Sequence, residues 1–327
     1  MSSESVSNSK QSHTVKAAVE SHAQRDEKSG CMAAYIGLAI GDALGATVEF
    51  MTASEIKHEY GEHRDITGGG WLKLKPGNVT DDTSMSFAMG NTIIDNQRIN
   101  PYDIAHSFSL WMKSKPVDIG NTVRRGIQNF RVTNDPEAPA SEYAAGNGAC
   151  MRCLPIAIAS LGMSRSYVIR ANIHQAHITH SNKLSDAGTQ CVIDMIQMAL
   201  RGETLANLFA GPVTDLVNTH PEFDFRNKVV TNPSGYIVET LQAVFQALSA
   251  TSSFEECIVN VVNRGGDADT TGAIAGMIAG SVYGLNEIPA RWLESLDPDV
   301  LQECKRQANS LYELRDNIHI SDSNPLI

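Results

Sequence analysis

Long apolar runs are missing from this 327-residue chain. Its most apolar stretch, residues 272–285, is shorter than the ~20 residues that a membrane-spanning helix requires, so no span is expected. The first 25 residues hold no apolar segment of the kind a secretory leader carries, and a cytoplasmic location is the expectation. Cysteines are few and scattered, at 31, 150, 153, 191, 257 and 304, mostly inside apolar segments. That spacing excludes the disulfide framework of a small secreted protein and points to reduced thiols. Cys150-Met151-Arg152-Cys153 is a lone C-x-x-C, and with no second pair and no histidine cluster it offers no zinc site. Basic charge is scarce too: 26 Lys and Arg against 37 Asp and Glu give a formal charge of −11. Broad, salt-driven nucleic-acid binding is therefore not expected. Strict period-two alternation is almost absent and no fixed-period repeat is found, which argues against a β fold and a solenoid.

What is present is ordinary globular composition, 42% apolar and 19% charged. A chain of this length buries well over half of its unfolded surface and needs no staple. Residues 1–29 are polar, rich in Ser, Lys and Glu, and cannot fill a core, so disorder or a partner-binding role is expected there. Thr14 could cap a short helix in which Val15, Ala18 and Val19 share a face. From residue 30 to 327 the apolar spacing is helical, as in CMAAYIGLAIGDAL, DAGTQCVIDMIQMALRG and TGAIAGMIAGSVYGL. The expectation is one compact all-α domain. Two long Gly- and Pro-rich loops, GEHRDITGGGWLKLKPGN and TNDPEAPASEYAAGNG, are too long to be mere connectors, and such loops tend to carry function.

Three acidic constellations stand out. Asp42, in GDALG, interrupts an apolar helical stripe, and Glu49 follows just past that helix. Thr80-Asp81-Asp82-Thr83 precedes the helix SMSFAMGNTII. One Asp suffices as a helix cap; two carboxylates flanked by two hydroxyls also supply the oxygen ligands that a hard cation wants, and both readings stay open on local grounds. Asn263-Arg264-Gly265-Gly266-Asp267-Ala268-Asp269-Thr270-Thr271-Gly272 repeats the theme at the start of an apolar helix. Gly272, Gly276 and Gly280 leave one face of that helix nearly bare, so it must pack closely in the middle of the body. Buried carboxylates there need partners, and no basic cluster lies nearby in the sequence. Glu49, Asp81, Asp82, Asp118, Asp267 and Asp269 converging on one cleft would require about two divalent ions, Mg²⁺ or Mn²⁺ by the oxygen-only donor set.

GDALGATVEF, GNVTDDTSMS, AGNGACMRCLP, HITHSN and NRGGDADTTGAIAGMIAG, in this order and at this spacing, resemble the ADP-ribosylglycohydrolase family, nearest to its dinitrogenase-reductase-activating branch. The resemblance runs from about residue 30 to about residue 315. It implies a compact all-α body with a binuclear Mg²⁺ or Mn²⁺ site, and hydrolysis of the bond between ADP-ribose and an arginine of a modified protein. It assigns Thr80, Asp81, Asp82, Asp267, Asp269 and Thr270 to the metals and places Glu49 beside them. Asp118 becomes the acid or base at the substrate ribose, with Glu49 as the second carboxylate. Asn121, the loop Gly146-Asn147-Gly148, His177, His180 and Tyr236 are implied to contact the ADP-ribose. The N-terminal stretch departs from the family pattern. Two rival classes remain at this stage: a two-metal phosphohydrolase, and an immunity protein that plugs an ADP-ribosyltransferase toxin with its N-terminal arm.

Overall fold

A computed structural model describes residues 26–322 of the protein. The helices are α1 Glu27–Gly45, α2 Ala53–Tyr60, α3 Asp81–Asn96, α4 Pro101–Lys113, α5 Asn121–Thr133, α6 Leu154–Ala159, α7 Arg165–Ala176, α8 Lys183–Leu200, α9 Leu205–Leu208, α10 Thr214–Thr219, α11 Ile237–Ala250, α12 Phe254–Val262, α13 Ala268–Tyr283, α14 Ala290–Ser295 and α15 Pro298–Leu314. A π-helical turn, Phe209–Val213, joins α9 to α10. Among the described residues the strands are two residues each: β1 Arg98–Ile99 and β2 His319–Ile320 pair in parallel. The all-α expectation holds. Helix α1 starts at Glu27 with Asp26 as its N-cap, so the end of the polar 1–29 stretch is already helical. The short helix expected around Val15, and the arm it would form, fall in residues 1–25, outside the described residues.

Helices α1 and α13 explain how the rest is arranged. Both are apolar on nearly every side and buried almost end to end, as helices of a central layer are. They run antiparallel with backbone against backbone. A Cβ on Gly41 would stand 1.9 Å from the carbonyl oxygen of Gly272, and one on Gly276 would stand 2.0 Å from that of Gly37. One on Gly45 would stand 2.2 Å from the carbonyl oxygen of Ala268. The bare face expected of α13 is therefore matched by an equal one on α1, with glycines at 37, 41 and 45. This register puts the C-terminal end of α1 beside the N-terminal end of α13.

The N-terminus of α3 arrives at the same place, and Asp42 holds it there. Its carboxylate accepts the backbone N–H groups of Thr80 (3.0 Å) and Thr83 (3.1 Å) and the hydroxyl of Thr83 (2.6 Å). Asp42 is thus the cap of α3, supplied from another helix. The side chain of Thr80, at the N-cap position itself, makes no capping bond. The two readings of the Thr80–Thr83 tetrad are resolved by this contact: Asp81 and Asp82 are not needed as caps.

All six cysteines are free and buried, in keeping with the reading as reduced thiols. Burial pushes the Cys31 and Cys257 thiols up to about 12. No helix among the described residues is long and apolar enough to cross a membrane.

Candidate active site

The convergence of α1, α3 and α13 gathers carboxylates. Oxygens of Glu49, Asp267 and Asp269 lie within 4.8 Å of one another. Two hydroxyls tie Asp82 to this group: Thr80 Oγ1 reaches Asp82 Oδ2 at 3.2 Å and Asp269 Oδ2 at 3.3 Å, and Thr270 Oγ1 donates to Asp82 Oδ2 at 3.3 Å. Asp81 accepts only a long bond from the N–H of Gly120, at 3.4 Å. Two of the carboxylates are also oriented from outside the cluster. Trp71 Nε1 donates to Glu49 Oε2 at 2.7 Å, and Asn147 Nδ2 donates to Asp267 Oδ2 at 2.6 Å.

No Lys or Arg among the described residues pairs with any of these five carboxylates. Their carboxyl groups are all raised, with burial the leading cause in each case. Glu49 goes up to about 8, held back by the indole N–H of Trp71 and pushed further by Asp118 and Asp267. Asp81 goes up to about 7, with Asp118 and Asp42 adding to the burial. Asp267 is raised, and Asp82 and Asp269 lie well above the usual carboxylate range. Buried charges so placed need either protons or cations. The donor set fits cations. Asp82 Oδ1 is buried with no hydrogen-bond partner, and an all-oxygen group suits a hard divalent ion.

The cluster forms the floor of a cleft of about 450 Å³. Glu49, Asp81, Asp118, Asn121, Gly146, Asn147, Gly148, His180, Asp267, Asp269 and Thr270 line it, so most of the residues singled out from the sequence are brought together. Thr80 and Asp82 lie one layer beneath, reaching the lining through the hydroxyl bonds above. Asp118 stands at the start of the α5 segment, partly exposed, with Oδ1 accepting the N–H of Ile119 at 2.7 Å.

His180 presses on the glycine loop opposite. A Cβ on Gly146 would stand 2.9 Å from His180 Nε2, and one on Gly148 would stand 2.6 Å from Cε1, which is why the loop reads Gly-Asn-Gly. Behind the ring lies Arg152, fully buried among neutral partners. It donates to the side-chain and backbone oxygens of Gln175 (3.1 and 2.9 Å) and to Thr179 Oγ1 (2.8 Å), over the Phe108 ring at 4.5 Å. Thr179 Oγ1 is 2.7 Å from His180 Nδ1. An arginine can only donate, so the Thr179 hydroxyl accepts from it, and His180 Nδ1 is the one acceptor of its own hydrogen among the described residues. The network thereby assigns the ring hydrogen to Nε2, on the cleft side. Burial, then the positive charges of Arg152 and Arg125, hold the His180 pKa down to about 3, so the ring is neutral.

Two residues are placed elsewhere. His177 is not among the cleft lining; its Nδ1 meets Glu137 Oε1 at 3.0 Å and its Nε2 meets Asp186 Oδ2 at 3.0 Å, tying the loop after α5 to α8. Tyr236 follows the lining residue Gly235, pairs through its backbone with Gly146 and is 38% exposed, at the edge of the cleft. Asn147, in the loop implied to contact the ADP-ribose, spends its side-chain amide on Asp267 and Thr240. Sequence reasoning missed Trp71, which sits in the long loop GGGWLKLKPGN and orients Glu49. The three glycines before it, unusual in so short a span, were the available signal.

An all-α body whose central helices aim unpaired carboxylates into a cleft defines a class: a helical protein built to hold hard cations beside a bound molecule. The chain belongs to the ADP-ribosylglycohydrolase family, whose family model matches residues 23–319. It is 46% identical over 283 residues to the ADP-ribosyl-[dinitrogen reductase] glycohydrolase of Rhodospirillum rubrum, covering 86% of this chain and 95% of that one. It is 29% identical to the ADP-ribosylarginine hydrolase Tri1 of Serratia proteamaculans, covering 80% of this chain and 74% of that one. Among solved structures, a chain of an "ADP-ribosylglycohydrolase-related protein complex" superposes with a TM-score of 0.79 at 32% identity, covering 89% of this chain and 99% of that one.

Proposed function

We propose that this protein hydrolyses the N-glycosidic bond joining ADP-ribose to an arginine side chain of a modified protein, with divalent cations bound in the cleft. The relatives named for that chemistry support the reading, and the observation that carries it is the unpaired carboxylate floor of a cleft walled by a glycine loop. Glu49, Asp81, Asp82, Asp267 and Asp269, with Thr80 and Thr270, would hold two ions, Mg²⁺ or Mn²⁺. Bound there, they supply Lewis acidity and charge compensation.

The chain's own groups do the rest. Asp118, exposed to the cleft and bonded to no basic side chain among the described residues, takes a proton from the attacking water; Glu49 is the second carboxylate placed for proton transfer. The oxygen of that water bonds to the anomeric carbon as the carbon–nitrogen bond breaks, its electron pair goes to the guanidine nitrogen, and the proton removed from the water passes on to that nitrogen, so the group leaves as a guanidinium cation. Nε2–H of His180 and the backbone of Gly146 to Gly148 face the ADP-ribose, so an acidic protein can hold an anionic ligand without lysines. The toxin-plugging alternative rests on the N-terminal stretch 1–29, of which residues 1–25 lie outside the described residues, and the described residues give it no support.

The test is product identity. Incubated with an ADP-ribosyl-arginine peptide and Mn²⁺, the protein should release free ADP-ribose and an unmodified arginine, and Asp118→Asn should slow this by roughly 10²–10⁴-fold. Release of inorganic phosphate or AMP with the arginine still modified would place the protein in another class of hydrolase.

A further inference from the structure

We propose that Phe50 and Trp71 form an aromatic shelf at the lip of the cleft that receives the planar guanidinium of the leaving arginine and so selects arginine-linked substrates; this rests on the hydrolase reading above. Both side chains line the cleft beside Glu49 and Asp118, and both are large apolar groups left in water, 64% and 51% exposed. Their rings meet at 5.4 Å between centroids, tilted by 47°.

Neither ring is there by default. Phe50 is held at φ +64°, a left-handed conformation that a bulky residue adopts only when its surroundings impose it. The imposition is visible: the N–H of Phe50 donates to the carbonyl of Gly266 at 2.7 Å, and the N–H of Gly266 donates to the carbonyl of Met51 at 2.8 Å. Trp71 is fixed as firmly. Gly68, Gly69 and Gly70 all have positive φ, and Gly69 and Leu74 exchange backbone bonds of 2.8 and 2.9 Å, closing a tight hairpin with Trp71 in its tip. A Cβ on Gly70 would stand 2.4 Å from the carbonyl oxygen of Ala46, so the tip is pressed onto the end of α1. The indole N–H is spent on Glu49, which leaves the ring itself to face the cleft mouth.

Aromatic faces attract a planar, weakly hydrated guanidinium, and the attraction grows as the leaving group takes its proton and becomes fully cationic. The carboxylates nearby reinforce a cation at that point. A serine hydroxyl as leaving group offers neither the plane nor the charge, and a carboxylate is planar but carries the wrong sign of charge.

The experiment compares inhibition by methylguanidine, which carries the guanidinium alone, and by agmatine, which carries it on an aminobutyl chain, with inhibition by ADP-ribose, using wild type, Phe50→Gly, Trp71→Phe and Trp71→Leu with Mn²⁺ and an ADP-ribosyl-arginine peptide. Phe50→Gly removes the ring and relieves the backbone, so its Tm should not fall. It and Trp71→Leu should each raise the methylguanidine and agmatine inhibition constants at least tenfold while moving that of ADP-ribose less than twofold. Trp71→Phe keeps a ring but loses the bond to Glu49; it should keep methylguanidine and agmatine inhibition and lower kcat. Methylguanidine or agmatine inhibition unchanged in Phe50→Gly and Trp71→Leu, or lost in step with ADP-ribose inhibition, overturns the shelf while the hydrolase reading stands. A wild-type protein that releases no ADP-ribose overturns both.

Discussion

Asp42, within α1, and Asp81, at the start of α3, are both buried acidic residues at the N-terminus of α3, yet one is its cap and the other part of the carboxylate floor. The difference is made by a contact across 41 residues, Asp42 to Thr83, that no local pattern reveals. The residues legible in advance were those whose local surroundings were already excessive: two carboxylates and two hydroxyls at a helix start ask for more than capping. Trp71 and Asn147 were illegible in their roles because each acts on a carboxylate far along the chain. His180 is a third kind of case, since its role depends on Arg152 and Thr179 behind it. Thr179→Val should remove one of the hydrogen bonds of the buried Arg152, which keeps those to Gln175, and cost about 1–3 kcal/mol of stability. ¹⁵N NMR of the ring should then show the Nδ1-protonated tautomer gaining population, whereas Thr179→Ser should keep the Nε2 tautomer; identical spectra in all three proteins would refute the relay. His177 makes the opposite prediction about charge. Its hydrogen bonds to Asp186 raise its pKa, with Glu137 adding to the effect. A histidine raised in the folded state stabilises it fully below its unfolded pKa of about 6.5, and that contribution disappears as pH rises through the folded value. His177→Gln should therefore lower Tm at pH 5.5 and change it little at pH 9; an equal loss at both would mean that packing, not charge, is what the histidine supplies.

At the level of elements, the sequence made the helices plain and their pairing only half plain. Gly272, Gly276 and Gly280 announced a bare face on α13, but the partner was not identified, although Gly37, Gly41 and Gly45 repeat the same spacing on α1. The reason is physical: a stripe of glycine says that a backbone comes close, not which one. The antiparallel register of these two helices is what sets Glu49 beside Asp267 and Asp269. Gly41→Ala would drive a Cβ into the carbonyl of Gly272 and must separate the pair. Overpacking of this kind costs about 1–3 kcal/mol, and here it should also weaken divalent-ion binding by spreading the carboxylates. Gly211→Ala is the control: its Cβ would meet nothing closer than Met198 Cε at 3.7 Å, and stability should change by less than about 0.5 kcal/mol. Denaturant melts with and without Mn²⁺ check both. Equal behaviour of the two variants would remove the helix pair from the explanation of the site.

For the whole molecule, acidic residues outnumber basic ones by 37 to 26, and five of the acidic ones form a largely buried group with no Lys or Arg partner among the described residues. Carboxyls raised in the folded state bind more protons there than in the unfolded chain, so metal-free stability should fall as pH rises from about 4 toward 8. Divalent ions that bind only the folded state should reverse this by mass action, with a larger rise in Tm at pH 8 than at pH 5.5. A Tm that is the same with Mn²⁺ and with chelator at pH 8 would contradict that. The most direct measurement joins the ions to the chemistry. Protein stripped with chelator is titrated with Mn²⁺ while ADP-ribose release from an ADP-ribosyl-arginine peptide is followed, for wild type and for Asp269→Ala. Release should be absent in the stripped protein, return in full as the ion is added back to wild type, and stay orders of magnitude lower in Asp269→Ala at any Mn²⁺ concentration. Undiminished release in the stripped protein, or full activity in Asp269→Ala, would contradict a metal-dependent glycohydrolase built on these carboxylates.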